Sequence, residues 1–269
     1  MIKKIFAKKS LGQNFLKSKI ILNEIISAGE ISDDDFIIEI GPGKGALTEK
    51  ILETGAKVLA IEKDSRLISL LEEKFETEIK NNQLQILEED ILEFDTGNDP
   101  PENFKNKKYK LIANIPYYIT GQIFEKFLTA DNQPELAVFM IQKEVCDRIV
   151  ARDNKESILS ISVKAYCEPK YIRKVPARFF SPTPKVDSAI IKLQNISKKT
   201  FEESDASEKD FFELVKTGFS HKRKVLISNL KEWAQKKGIN LSEKFDQIGL
   251  DKKIRAEKLS VQDWISLLK

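Results

Sequence analysis

The chain has 269 residues, 41% of them hydrophobic and 32% charged, with two cysteines and a formal net charge of +3. This composition describes a globular protein of one or two domains and excludes a disordered chain or a disulfide-built scaffold. With a single histidine, His221, and only Cys146 and Cys167 beside it, histidine-based triads and multi-histidine or cysteine metal sites fall away, so no metal is expected.

The start, Met1-Ile2-Lys3-Lys4, is basic but has no apolar run of secretory length behind it. No stretch approaches the roughly 18 apolar residues of a membrane span, so a cytoplasmic protein without membrane contact is expected. The charge is uneven. Residues 1–19 carry six lysines and no acid, residues 20–195 carry 23 basic against 30 acidic side chains, and residues 196–269 carry 16 basic against 12 acidic. Basic flanks on an acidic middle suit a catalytic body with phosphate-contacting ends, although solubilising lysines give the same count.

From Asp35 onward short β-branched runs alternate with amphipathic stretches, the pattern of an α/β fold with a largely parallel sheet. Strands are expected at Phe36–Ile38, Val58–Ile61, Leu84–Leu87, Leu111–Ala113 and Leu136–Met140. Helices are expected at 46–54, 64–79, 119–130 and 143–151. Two later runs, Tyr171–Phe179 and Ala189–Leu193, are candidates to extend the sheet, and Pro176, Pro182 and Pro184 mark a shaped loop between them. After Asn195 the texture turns to polar helical segments, so the chain divides into 1–195 and a small all-α domain at 196–269.

The first strand ends in Glu39-Ile40 and runs into Gly41-Pro42-Gly43-Lys44-Gly45 before a helix. Glycines there permit a tight turn and close backbone approach to a ligand. Gly41, Gly43 and Ala46 also satisfy a relaxed dinucleotide fingerprint, and Glu62 closes the next strand where a ribose-binding acid belongs, so this motif alone leaves NAD and S-adenosylmethionine both open. Asp90, after the third strand, is placed to accept from an adenine amine.

At the end of the fourth strand stands Asn114-Ile115-Pro116-Tyr117-Tyr118. An exocyclic adenine amine is a poor nucleophile because its lone pair is delocalised into the ring. A site that methylates it must hold the nitrogen in line with the methyl donor and favour pyramidal geometry. The Asn114 amide oxygen and the Ile115 carbonyl suit that task, Pro116 stiffens the turn, and Tyr117 offers a stacking face worth roughly 1–3 kcal/mol. Phe180, in Phe179-Phe180-Ser181-Pro182-Thr183-Pro184-Lys185-Val186-Asp187-Ser188, is expected to cover the other face of the base.

These segments together resemble the KsgA (RsmA) family of small-subunit ribosomal RNA adenine dimethyltransferases. The resemblance also takes in Leu11-Gly12-Gln13-Asn14-Phe15-Leu16, Gln142-Lys143-Glu144-Val145, Phe219 through Leu230, and Arg255-Ala256-Glu257-Lys258-Leu259-Ser260. It implies a Rossmann-like methyltransferase domain with a smaller helical domain, and S-adenosylmethionine as cofactor. It further implies two methyls on each of two adjacent adenosines near the 3′ end of 16S ribosomal RNA, within an assembling small (30S) subunit. By the same resemblance Asn14 and Leu16 contact the cofactor, Gly41 its amino-acid end, Glu62 its ribose, Asp90 its adenine, and Asn114 the reacting centre.

Ile115 replaces the commoner leucine, and Ser10-Leu11 stands where many members carry a basic residue and an aromatic. Lys8, Lys9, Lys185, His221, Lys222, Arg223 and Lys224 are candidate phosphate contacts, and a monomer is expected. Three other readings compete. A large-subunit dimethyltransferase shares the chemistry; a nicotinamide oxidoreductase leaves Asn114 through Tyr117 without a task; a non-catalytic assembly factor leaves the intact Asn114 and Tyr117 unexplained.

Overall fold

The computed structural model describes residues 6–8, 11–95 and 107–269. By contacts the chain divides into two compact units, Met1–Cys146 with Lys170–Ile196, and Asp147–Pro169 with Ser197–Lys269.

The first unit is built on a seven-stranded sheet of order β4-β3-β2-β5-β6-β9-β7. Its strands are β2 (Phe36–Ile40), β3 (Lys57–Glu62), β4 (Leu84–Glu88), β5 (Lys110–Asn114), β6 (Leu136–Gln142), β7 (Glu168–Val175) and β9 (Ser188–Gln194). A separate two-residue bridge joins β1 (Phe15–Leu16) to β8 (Phe180–Ser181). Strands β2 to β6 run parallel, and β9 returns antiparallel to β6. The parallel strands read as continuous apolar runs because both faces are covered: Val58, Leu59, Ala60 and Ile61 in β3 and Leu111, Ile112 and Ala113 in β5 are all buried.

Helix α1 (Lys19–Gly29) precedes β2; α2 (Ala46–Leu52) crosses from β2 to β3, α3 (Ser65–Lys74) and α4 (Glu76–Lys80) from β3 to β4, and α5 (Thr120–Thr129) from β5 to β6, while α6 (Lys143–Ile149) follows β6. The single helix expected over 64–79 breaks at Phe75, whose φ of −116° and ψ of 29° end α3. That break lets the buried Phe75 ring pack against Gly45, where an added Cβ would lie 2.5 Å from the ring. From β2 the chain proceeds outward through β3 to β4, then returns to the other side of β2 for β5 and β6. Strand order therefore reverses between β2 and β5, and in open α/β sheets such a reversal opens a crevice at the strands' carboxyl ends.

The second unit is helical: α7 (Ile158–Lys164), α8 (Lys199–Glu202), α9 (Glu208–Gly218), α10 (Leu226–Lys237), α11 (Leu241–Gln247) and α12 (Val261–Leu268). Helix α9 packs on α7, α10 and α12 around Phe211, Leu214, Leu230 and Trp264. The start of this unit corrects the division drawn at 195/196. Residues 147–169 belong here because Tyr166 stacks on Phe212 at 6.2 Å, meets Phe201 at 5.3 Å and donates to the Glu208 carboxylate at 2.7 Å. Aromatic contacts between distant segments leave no trace in local periodicity. The Arg255–Ser260 motif is a closing turn, in which Ala256 is buried and the Glu257 carbonyl accepts from the Glu156 N–H.

Gly218 sits where helix preference and packing oppose each other. Alanine there gains up to about 1 kcal/mol of helix propensity, but its Cβ would lie 2.3 Å from Cη2 of the buried Trp264. Overpacking costs roughly 1–3 kcal/mol, so Gly218→Ala is expected to destabilise the protein. Gly121→Ala, whose Cβ would meet nothing within 4 Å, is expected to be neutral or slightly stabilising. Urea unfolding of the two variants checks the opposite signs.

Candidate active site

The crevice at the carboxyl ends of β2 and β5 holds a cavity of about 450 Å³. Its floor is the glycine loop after β2. Gly41, Gly43 and Gly45 have φ of 64°, 62° and 72°, a left-handed backbone that side chains disfavour. A Cβ on Gly41 would meet no atom within 4 Å, so this residue exposes backbone to the cavity, whereas one on Gly43 would lie 3.1 Å from the Phe15 ring.

Two carboxylates close the wall on the β3 and β4 side. Glu62, at the end of β3, is 6% exposed and accepts from the Gly43 N–H at 3.1 Å and the Asp64 N–H at 2.8 Å. Burial raises its pKa, against the lowering effect of those N–H groups. Two of roughly four lone-pair sites are used, leaving acceptors for a pair of ribose hydroxyls. Asp90, beyond β4, accepts from the Leu92 N–H at 3.1 Å and pairs with Lys63. Burial alone would raise Asp90, but the Lys63 hydrogen bond and the Leu92 N–H hold it below the usual carboxylate value.

On the opposite side β5 delivers Asn114, and Ile115, Pro116 and Tyr117 follow along the cavity wall. The Asn114 Nδ2 donates to the Asn14 carbonyl at 3.0 Å. Its Oδ1 is thereby the atom left to accept from a substrate amine. The Tyr117 hydroxyl lies 2.7 Å from Oγ of Ser188, a buried residue of β9, which fixes the ring by its far end, and burial raises the phenol. Residues 11–17 of the N-terminal segment also line the cavity. Asn14 and Leu16 are among them, brought there by the β1–β8 bridge and by the Lys17 N–H donating to the Phe179 carbonyl at 2.9 Å.

Thus Asn14, Leu16, Gly41, Gly43, Glu62, Asp90, Asn114, Ile115, Pro116 and Tyr117 converge on one cavity. Phe180 does not. Its ring is 1% exposed and packs in the hydrophobic core with Leu16, Leu22 and Ile190, so the second stacking face assigned to it is corrected to a core anchor beneath the bridge. Register explains this: opposite Leu16, Phe180 points inward while the next residue, Ser181, reaches the cavity. Lys8, Lys185, Lys222, Arg223 and Lys224 are exposed and lie outside the cavity lining, and Lys9 falls outside the described residues.

Three residues had no role from sequence: Gln13, Asp64 and Glu39. Gln13 Nε2 donates to Asp64 Oδ2 at 2.8 Å, a contact across 51 positions that no local pattern encodes. Glu39 alternates with apolar neighbours in β2, and that polar interruption of an apolar strand was the available signal. It is 1% exposed, lines the cavity, and its Oε2 has no hydrogen-bond partner among the described residues.

Burial, with the nearby Glu62 carboxylate, pushes Glu39 up to about 8. The folded chain holds this proton until about pH 8, whereas an unfolded chain releases it near 4.5. Stability from the neutral form is complete below the lower value and is lost as pH rises through the upper one. Glu39→Gln, neutral at every pH, is expected to flatten that decline. Thermal unfolding of both proteins between about pH 5 and 9 measures it, and parallel profiles would show that Glu39 titrates normally.

A model of the family described as ribosomal RNA adenine dimethylase matches residues 5–269. Ribosomal RNA small subunit methyltransferase A of Dehalococcoides mccartyi strain CBDB1 is 41% identical over 97% of this chain and 87% of its own. The protein of that name from Fusobacterium nucleatum subsp. nucleatum is 39% identical over 97% of this chain and 96% of its own. Among solved structures, a dimethyladenosine transferase from Plasmodium falciparum superposes with a TM-score of 0.78 at 28% identity, covering 94% of this chain and 96% of its own. The 23S rRNA methyltransferase ErmE, at 24% identity and a TM-score of 0.75 over 94% of this chain and 98% of its own, shares the fold. The chain belongs to the ribosomal RNA adenine dimethylase family, enzymes that take their methyl groups from S-adenosylmethionine.

Proposed function

We propose that this enzyme dimethylates the exocyclic amines of two adjacent adenosines near the 3′ end of 16S ribosomal RNA, in the cytoplasm, acting as a monomer on the small subunit. The observation that carries the reading is the oriented Asn114 amide, tied through Nδ2 to the Asn14 carbonyl at the rim of a cavity walled by Glu62 and Asp90. The choice of small over large subunit is supported by relatives at 41% and 39% identity named as small-subunit enzymes.

In this reading Glu62 accepts the cofactor's ribose hydroxyls, Asp90 its adenine amine, and the Gly41 backbone, with Asn14 and Leu16, bounds its amino-acid end. S-adenosylmethionine, when bound, supplies an electrophilic methyl group on a sulfonium. Asn114 Oδ1 and the Ile115 carbonyl accept the two hydrogens of the substrate amine. That draws its nitrogen toward pyramidal geometry and turns the lone pair out of the ring. Tyr117, anchored at Ser188, gives the extruded base a stacking face. No strong general base is needed, since the methylated amine is acidic and sheds its proton readily; catalysis is positioning and electrostatics.

RNA is held outside the cavity by phosphate contacts from Lys8, Lys185, Lys222, Arg223 and Lys224, the last three on the helical unit, which contributes to ribosome binding. Among the described residues no helix is long and apolar enough to cross a membrane.

Purified protein, labelled S-adenosylmethionine and small subunits from cells lacking adenine dimethylation, with large subunits in parallel, test the proposal by nucleoside mass spectrometry. Dimethyladenosine at two adjacent small-subunit positions is expected. Label confined to large subunits would establish the large-subunit reaction instead, and binding without label an assembly factor. Asn114→Ala is expected to lower the transfer rate by about 10²-fold or more, the scale of losing one preorganised polar group, while S-adenosylmethionine binding by calorimetry stays within a few-fold. Near-normal turnover would remove Asn114 from the chemistry.

A further inference from the structure

The segment 11–17 touches every wall of the cavity by a different contact. The Phe15 ring lies on Gly43, with Lys44 Nζ 4.9 Å from its centroid. Gly12 lies against Tyr118, whose ring atoms would be 3.3 Å from an added Cβ. The Asn14 carbonyl holds the Asn114 amide, and Gln13 Nε2 donates to Asp64 Oδ2. Asp64 in turn donates its N–H to Glu62. Residues 15–17 have their own anchor in the two-residue bridge and the Lys17–Phe179 hydrogen bond. On the β3 side, residues 11–14 are tied down by the Gln13–Asp64 hydrogen bond.

The acceptor of that tie is an ionised group. Asp64 is 2% exposed, and the hydrogen bond from Arg66 holds its carboxyl down at about 2. Arg66 Nε and Nη2 approach the carboxylate at 2.8 and 2.5 Å, fixing its plane for the Gln13 amide. Hydrogen bonds to ionised acceptors are the stronger kind.

We propose that Gln13 is a positioning residue: its hydrogen bond to Asp64 latches residues 11–14 over the cofactor cavity and thereby holds the Asn114 amide in its reactive orientation. The proposal rests on the methyl-transfer reading above. Placing two methyls on one amine consumes two methyl donors, so the spent cofactor must leave and a fresh one enter between transfers. When residues 11–14 lift to allow this, the Asn14 carbonyl leaves Asn114 Nδ2 and the amide is free to rotate. Closing the latch over a cofactor restores both contacts. Cofactor enclosure and orientation of the amine-binding group are then one event, and an amine meets a correctly turned Asn114 only while the segment is shut.

The test uses the full chain and two readouts. Dissociation of S-adenosylhomocysteine is followed in the absence of RNA by displacement with excess labelled S-adenosylmethionine. Single-turnover transfer is measured at saturating cofactor with whichever subunit the wild type labels. Gln13→Ala is expected to release the product cofactor about tenfold faster and to slow single-turnover transfer by a similar factor, the scale of one charge-assisted hydrogen bond, with an unchanged melting temperature. Gln13→Lys, which restores a donor to Asp64, is expected to return both rates to within about threefold of wild type. Wild-type values for either rate in Gln13→Ala would overturn the latch. Because the dissociation arm contains no RNA, its result stands apart from the substrate assignment, which is decided by which subunit, if any, the wild type labels.

Discussion

Strands β2 and β5 lie side by side in parallel, yet the connections leave their carboxyl ends toward opposite edges of the sheet. Among the described residues no crossover helix therefore roofs the gap between them, and the backbone at both ends faces the cavity. The two strands are pinned at the far end by Lys110 and Asp35, paired at 2.8 Å with both side chains largely buried. With register fixed there, the positions at which Ile40 gives way to Gly41 and Ala113 to Asn114 are fixed too. The glycine loop and the turn that begins at Asn114 face one cavity because a rigid, doubly covered sheet leaves no slack between them.

What fills that crevice is set by how acidic groups survive in a dry wall. Glu62 accepts two backbone N–H groups and Asp90 pairs with Lys63, so each is held by partners within the chain itself. For Glu39, burial and the neighbouring Glu62 carboxylate outweigh hydrogen bonding from Thr48, and its pKa is pushed up. The wall thus offers acceptors to hydroxyls and amines without stacking three negative charges on one another. A site built this way discriminates through hydrogen-bond donors on its ligand, and it suits a nucleoside better than a phosphate. This physical difference separates it from a dinucleotide site carrying the same glycine spacing.

The sheet was legible in the sequence because parallel strands buried on both faces must read as β-branched runs, and all five expected runs from Phe36 to Met140 fall in strands. The cavity residues were legible because topology places them at successive strand ends, so chain order alone grouped Gly41, Glu62, Asp90 and Asn114. Three features were not. The bend at Phe75 depends on a glycine thirty positions earlier. The transfer of residues 147–169 to the helical unit depends on one aromatic cluster around Tyr166. Phe180 looked like a base-facing aromatic because a proline-rich loop follows it, but a two-residue bridge decides by register which side chain turns inward. Each of these is decided by a contact between segments far apart in the chain.

In the proposed reading the cavity takes an adenine amine and its methyl donor, and the residues assigned to the base are Asn114, Ile115 and Tyr117. In that reading they present two acceptors and a stacking face, which any extruded adenosine satisfies. Selection of the nucleotide must therefore be made by surfaces that act before the base is extruded. Extrusion costs a few kcal/mol and is cheapest for bases already unpaired, so an enzyme with so permissive a pocket depends on RNA shape to offer the right base. Exposed basic side chains add affinity without sequence information. In that reading the discriminating element is the geometry in which the RNA backbone is presented at the rim formed by residues 11–17 and Tyr118.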